Sequence, residues 1–395
     1  MKRVNNIEKK LYVVIIQNFP FHSTKALSTY LVNITLGINN ARNTEVTVIA
    51  CENNEKNKTN QNVITVAGNP YTTIGNLKFI WNANRKIKEL SKNNEIDIIH
   101  TIYPMSSLAA VLFNKKIRKH SKIIYELRSP WIYIGETSGY VPKLFTKLYV
   151  KLISTIEKIL IRRISAFIFI TEELHNFYKK HLPKNYKYIV IPSGINLDFF
   201  NTSILPIDIS SILNLDEDSI TLGYIGSLEM QRNLEQLVYY FYKSLKKFPF
   251  LNLVFIGDGT GKHKLEELRD KYNLSNKLYI LNPVDHEKIP SWIKSFDICV
   301  SHIPDLEIYK PSFPLKILEY ASLLKPVLAT DIKPHRFFKE KYPRCYLYEN
   351  EETFLSKLEE ILQSINEHAD FNSNEFSWKT LGEKIVNFYN ELIDN

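Results

Sequence analysis

Cysteine is scarce in this sequence. Cys51, Cys299 and Cys345 are its only three in 395 residues, too few and too scattered for a disulfide framework or a paired-cysteine metal site. That suits a reducing, cytoplasmic compartment and leaves all three as packing residues. The chain also lacks any run approaching the roughly 18 to 20 apolar residues of a spanning helix. Its start, "MKRVNNIEKKLYVVIIQNFPF", is basic like a leader, but the apolar run is short and no small-residue cleavage site follows. It reads as a first strand. There is no repeat of solenoid length, and the one D-x-D string, "DED" at 216–218, sits in a polar connecting segment where it reads as solvated charge or the start of the next domain. What the chain does have is basic excess, a formal net charge of +9, which suggests an anionic partner such as a phosphorylated small molecule or an acidic lipid surface. Nucleic acid is disfavoured, because the basic residues are dispersed and no recognition motif appears.

Short β-branched runs alternate with helical patterns, the arrangement that builds parallel sheets through crossover helices. In the first half the strands read as "LYVVII", "EVTVIA", "NVITVA", "IDIIH", "SKIIYEL", "SAFIFIT" and "YKYIVIP"; in the second half as "ITLGYIG", "LNLVFIG", "KLYILN", "FDICVS" and "PVLATD". The polar stretch 201–219, with Pro206 inside it, reads as a linker. Residues 1–200 and 220–374 are then two α/β domains. Open α/β sheets bind ligands beyond the carboxyl ends of their strands, so chemistry is expected just after strands.

Three places meet that expectation. "LNLVFIGDGTGKHKLEEL" is a strand, a turn with Gly257, Gly259 and Gly261, and a helix, which lets backbone approach a phosphate. Lys262 stands where the third glycine of a dinucleotide fingerprint belongs. "LGYIGSLEMQRNLEQLVYYF" repeats the pattern, with Gly226 and Ser227 ending a strand and Arg232 placed to clamp an oxyanion. In "PSFPLKILEYASLLKPVLAT", Ile317, Leu318, Ala321 and Leu324 mark a helix from about Pro314, with Lys316, Glu319 and Tyr320 on its other face. Lys316 adds a charge to the positive helix end. Glu319 lies one turn deeper, about 5 Å along the axis, where a carboxylate can accept two hydrogen bonds from a diol. A nucleoside diphosphate has a diphosphate and a diol at that separation, although an ordinary surface ion pair would show the same spacing.

In order, "YIGSLEMQRNLEQLV", "LVFIGDGTGKHKLEEL", "VDHEKIPSWIKSFDICVSHIP", "PSFPLKILEYASLLKPVLATD" and "FSWKTLGEKIVNFYNEL" resemble the nucleotide-sugar half of a family 4 retaining glycosyltransferase of the GT-B fold. "DIIHTIYP", "KIIYELRSPW", "ISAFIFITEEL" and "IPSGINLDFF" resemble its first half. The resemblance implies two Rossmann-like domains facing a cleft, with the helix in 375–395 crossing back onto the first. It implies transfer of a sugar, without cofactor or metal, from a nucleotide diphosphate sugar, UDP-linked by family habit, to a glycan or lipid-linked acceptor. Catalysis falls to Arg232 and Lys316. Donor binding falls to Gly226, Ser227, Gly257, Gly259, Val284, Phe313, Leu315 and Glu319, and the acceptor side to His22, Thr24, Arg128 and Trp131. The sequence departs from the family pattern where Pro311 replaces the first motif glutamate, Ser227 the clamp arginine and Arg128 a histidine.

Two rival readings share the fold: a nucleotide-sugar epimerase using His22, His100, Glu126 and Asp305, and a non-catalytic, degenerate subunit. Finally, residues 141–165 carry Lys143, Lys147, Lys151, Lys158 and Arg162 in one stripe, with Leu144, Leu148, Leu152, Ile156, Ile159 and Ile164 near another. They read either as a domain helix or as an interfacial helix on an anionic membrane surface.

Overall fold

The computed structural model describes residues 10–21, 26–41, 43–52, 62–112, 121–130, 151 and 154–394. His22, Thr24, Trp131 and most of the 141–165 stripe lie outside them. The chain divides into two compact units: residues 1–194 with 311–313 and 375–395, and residues 195–310 with 314–374.

The first unit is built on a seven-stranded parallel sheet. Its strands are β1 (Leu11–Pro20), β2 (Thr44–Cys51), β3 (Asn62–Val66), β4 (Ile98–Ile102), β5 (Lys122–Leu127), β6 (Ala166–Phe169) and β7 (Lys187–Val190). Their order is β3-β2-β1-β4-β5-β6-β7. β1 shows why it reads as an unbroken apolar run. Tyr12, Val14 and Ile16 enter the core on one side, while Leu11, Val13 and Ile15 enter the core on the other, as expected when both faces of a parallel sheet are covered. Helices Thr73–Asn93 and Pro104–Val111 cover the first face. Helix Ala26–Asn39 and the final helix, Trp378–Ile393, cover the second through Leu31, Ile34, Leu381 and Ile385. Those two helices approach so closely that a Cβ on Gly37 would stand 2.2 Å from the Trp378 carbonyl oxygen.

Where residues 141–165 are described, they favour the domain-helix reading. Residues 154–161 are helical, and Leu160, Ile161 and Ile164 are buried in the first core with Ile156 packed against it. Glu157 is buried and accepts from the Tyr125 and Tyr178 hydroxyls. The apolar face of this part is spent on the core and cannot also enter a bilayer. Ile159, grouped by spacing with the apolar stripe, is exposed.

The second unit carries a six-stranded parallel sheet. Its strands are β8 (Ile220–Ile225), β9 (Leu251–Ile256), β10 (Leu278–Leu281), β11 (Ile298–Ser301), β12 (Val327–Thr330) and β13 (Cys345–Tyr348), in the order β10-β9-β8-β11-β12-β13. Leu222, Tyr224, Leu253, Phe255 and Val300 pack under helices Leu234–Ser244 and Glu351–Gln363. The last strand, "CYLY", is absent from the sequence reading because it is short, follows Pro343 and Arg344, and has no β-branched residue to mark it. Residues 201–219 contain a short helix, Ile209–Leu213, capped by the Asp208 carboxylate, which accepts from the Ser211 amide at 3.0 Å.

Candidate functional site

In the second unit, β8 and β9 end, and the helix Leu315–Ser322 begins, around one small region. β8 ends at Ile225, and the Gly226 amide donates to the Ile256 carbonyl at 2.8 Å. Gly226 has φ +136, and a Cβ there would fall 2.1 Å from Lys316 Nζ. Only glycine fits where the lysine head presses on the backbone. The turn after β9 then lies against it, for a Cβ on Gly257 would come within 1.9 Å of the Gly226 carbonyl oxygen. A hydrogen bond from the Leu228 amide to the Asp258 carbonyl (2.9 Å) and one from the Gly261 amide to the Leu228 carbonyl (2.8 Å) tie the two glycine turns together.

Lys316 occupies the first turn of its helix, where the dipole disfavours a cation, and the helix has no side-chain cap. Its Nζ donates to the Ile225 carbonyl at 2.6 Å and sits 3.9 Å above the centre of the Tyr224 ring. Both interactions hold the head in place, and neither supplies a counter-charge. Burial pushes the Lys316 ammonium down, the like charge of Arg232 pushes the same way, and Glu319 only partly opposes them, leaving it at about 7. Glu319 is driven in the opposite sense: burial raises its carboxyl to about 7 against the pull of Lys316. Two half-buried groups of opposite charge are thus each pressed toward neutrality. An anion near Lys316 and a diol near Glu319 would reverse both shifts.

Arg232 ends a short 3-10 turn, Met230–Arg232, with its guanidinium 5.1 Å from the centre of the Tyr309 ring. The Tyr309 hydroxyl donates to the Gln231 carbonyl at 3.3 Å, steadying that turn. Asn233, next along, takes the left-handed conformation at φ 53 and starts the Leu234–Ser244 helix. The Ser227 carbonyl accepts from the Tyr224 hydroxyl at 3.0 Å.

The structure thus brings Gly226, Ser227, Gly257, Gly259, Arg232, Lys316 and Glu319 together in one unit. Leu315 is the exposed first residue of the same helix. Val284 is half-buried in the segment after β10. Phe313 groups instead with the first unit, packed against its core with its ring 6.1 Å from Phe376. Sequence reasoning passed over Tyr224, Tyr309, His302 and His335. The buried His302 shares a 2.6 Å hydrogen bond with the Tyr348 hydroxyl, and burial lowers its imidazole to about 4. His335 likewise falls to about 4 by burial, held by the Thr330 carbonyl at 2.8 Å. Both are neutral packing groups. The "YIG" of "LGYIGS" was the available signal for Tyr224, since an aromatic two residues before a turn glycine can floor a cation site.

In the first unit, Arg128 belongs to a buried network. It donates to Glu126 Oε1 at 2.8 Å and to Ser193 Oγ at 2.8 Å, and lies 3.4 Å over the Tyr30 ring. Glu126 also accepts from Tyr30 and pairs with His100 Nε2 at 3.0 Å, while His100 Nδ1 meets the Tyr389 hydroxyl at 2.6 Å. Burial alone would raise the Glu126 carboxyl, but His100, Arg128 and Tyr30 outweigh it and hold it at about 2. His100 and Glu126 are therefore committed to each other, and Asp305, the remaining described member of the epimerase set, is exposed. Among the described residues, no group of three or more His, Cys, Asp or Glu side chains is placed to hold a metal ion.

Comparison with known proteins finds relatives of both halves of the chain. The family model "Glycosyltransferase Family 4" matches residues 27–199, and "Glycosyl transferases group 1" matches residues 207–378. The alpha-monoglucosyldiacylglycerol synthase of Acholeplasma laidlawii is 21% identical, with 93% of each chain covered. The uncharacterized glycosyltransferase MJ1059 of Methanocaldococcus jannaschii is 27% identical over 63% of this chain, and the match spans only 59% of that relative's length. Among solved structures, Anabaena HepE in complex with UDP superposes with a TM-score of 0.67 at 14% identity, covering 96% of this chain and 100% of that one.

Proposed function

This chain belongs to the family 4 glycosyltransferases of the GT-B fold, and from that premise we propose that it moves a hexosyl group from a nucleotide diphosphate sugar to a lipid-linked or glycan acceptor in cell-surface polysaccharide or glycolipid synthesis. The observation that carries the proposal is the Lys316 head, held by the Ile225 carbonyl and the Tyr224 ring beside the Gly226 turn and lowered to about 7 by burial and the like charge of Arg232, which Glu319 only partly opposes. Breaking the bond between the anomeric carbon and the diphosphate builds negative charge on the leaving phosphate. Fixed cations and N–H donors aimed there are what lower the barrier. Arg232, Lys316 and the N-terminus of the Leu315–Ser322 helix fill that role in place of a metal ion, and Glu319 holds the ribose diol. Uridine is the proposed base; HepE, of the same fold, was solved with UDP bound. The acceptor hydroxyl attacks on the face the diphosphate leaves, so configuration is retained.

We assign Arg128 to positioning rather than to the acceptor, because its guanidinium is held by Glu126, Ser193 and the Tyr30 ring. The protein works at the inner face of the cell membrane as a peripheral enzyme. No helix among the described residues is long and apolar enough to cross a membrane, and a relative covering 93% of the chain is named for a lipid product. Incubation with labelled UDP-, ADP- and GDP-hexoses and a lipid extract, followed by NMR of the product's anomeric proton, tests the proposal. Transfer with the donor's configuration is expected. An inverted product would refute retention, and a free epimerised nucleotide sugar would favour the epimerase instead.

A further inference from the structure

The Thr73–Asn93 helix has two apolar faces, and the fold uses one of them. Successive residues advance about 100° around a helix. Phe79, Ile80, Ala83 and Ile87 fall on one side and are all buried. Ile74, Leu77 and Trp81 fall on the opposite side and are 70%, 61% and 75% exposed. A tryptophan, a leucine and an isoleucine in one exposed stripe exceed the scattered apolar residues of an ordinary surface. The stripe does not stop at Trp81. Arg85, Lys88 and Lys92 continue it at the same spacing, and Lys78 flanks it, all four exposed. Over the whole helix five basic residues, Lys78, Arg85, Lys86, Lys88 and Lys92, stand against one acidic residue, Glu89, which is paired with Lys86 at 2.9 Å.

We propose that this face of the Thr73–Asn93 helix is a docking surface for an anionic lipid bilayer, with Ile74, Leu77 and Trp81 entering the headgroup–acyl boundary and Lys78, Arg85, Lys88 and Lys92 meeting the acidic headgroups. The inference deepens the peripheral location proposed above and names the surface that provides it. Charge complementarity selects the occupant. An apolar wedge followed along one stripe by cations matches a surface that is apolar below and anionic above, whereas two copies of the chain meeting through this face would bring two basic stripes together. It also reassigns the role: the helix that meets the membrane is this one, not residues 154–161, whose apolar side is in the core.

The test floats the full chain with vesicles of phosphatidylcholine alone and of phosphatidylcholine with phosphatidylglycerol. Wild type is expected to float with the anionic vesicles and to be released by salt. Arg85→Gln/Lys88→Gln/Lys92→Gln should weaken that binding about a hundredfold, from about 1 kcal/mol per basic residue. Ile74→Ser/Leu77→Ser/Trp81→Ser should abolish it while leaving UDP binding and the melting transition unchanged, as all three side chains are exposed. Trp81→Phe should keep binding but lose a blue shift in tryptophan emission. If wild type floats and the serine variant floats equally, the surface is wrong and peripheral location stands. If wild type floats with neither vesicle, both fail. A dimer of wild type that the serine variant dissociates, with no vesicle binding, would reassign the stripe to a second copy of the chain.

Discussion

Each unit sets a carboxylate near a basic side chain, and the two pairs have opposite fates. Glu126 in the first unit accepts from Tyr30, His100 and Arg128 and is held at about 2. Glu319 in the second is raised to about 7, and its neighbour Lys316 is lowered to about 7. The first pair is finished: every charge has a geometric partner, so it organises structure. The second is unfinished, since Lys316 donates only to a neutral carbonyl. A partly buried ammonium whose hydrogen-bond acceptor is neutral costs stability, and an anionic ligand beside it would offset that cost.

The largest effect is expected from breaking the finished pair. Glu126→Ala leaves Arg128 buried and unpaired, which typically costs about 3 to 5 kcal/mol, read as a lowered urea midpoint. UDP affinity per folded molecule should not move. The same carboxyl fixes an acid sensitivity. Its pKa is lower folded than unfolded, so its stabilisation is present above the ordinary carboxylate range and is lost as pH falls toward about 2. Wild type should therefore lose more stability than Glu126→Gln on acidification, and parallel curves would contradict the network.

Next comes the unfinished pair. Lys316→Ala and Arg232→Ala should each slow sugar transfer by about a hundredfold to a thousandfold, the usual loss on removing one donor from a developing oxyanion. Lys316→Ala should also leave stability unchanged or raised, because the ammonium is strained without its ligand. Wild-type turnover in both variants would remove the phosphate clamp. The smallest effect is that of Glu319→Gln, which keeps an acceptor but loses the charge that grips the diol. UDP affinity should fall about tenfold, or about 1.4 kcal/mol. An unchanged dissociation constant would return Glu319 to an ordinary helix ion pair.

Much of this was legible in the sequence because it is local. All twelve strands read from it form, since β-branched runs between helices advertise a buried parallel sheet. The Gly226 and Gly257 turns and the Lys316–Glu319 spacing were visible for the same reason. What could not be read was tertiary. Nothing near Arg128 in the chain announces that Tyr30 and Ser193 will close around it, and "CYLY" is a strand only because β12 lies beside it. The two basic amphipathic helices show the limit best. Their patterns look alike, and only burial reveals that Leu160 and Ile161 are spent inside while Leu77 and Trp81 remain outside.

If Lys316 receives the donor's diphosphate, proton linkage reports it most directly. Calorimetric titration of UDP at pH 8, in buffers of different ionisation enthalpy, reports protons taken up on binding. At that pH the UDP phosphates are fully ionised, their last pKa being near 6. Free Lys316, lowered to about 7, is then mostly neutral, while Glu319, raised to about 7, is mostly ionised. A diphosphate beside Lys316 raises its pKa, so wild type should take up protons on binding and Lys316→Met none. Equal uptake in both proteins, or none in wild type despite tight binding, would contradict the account.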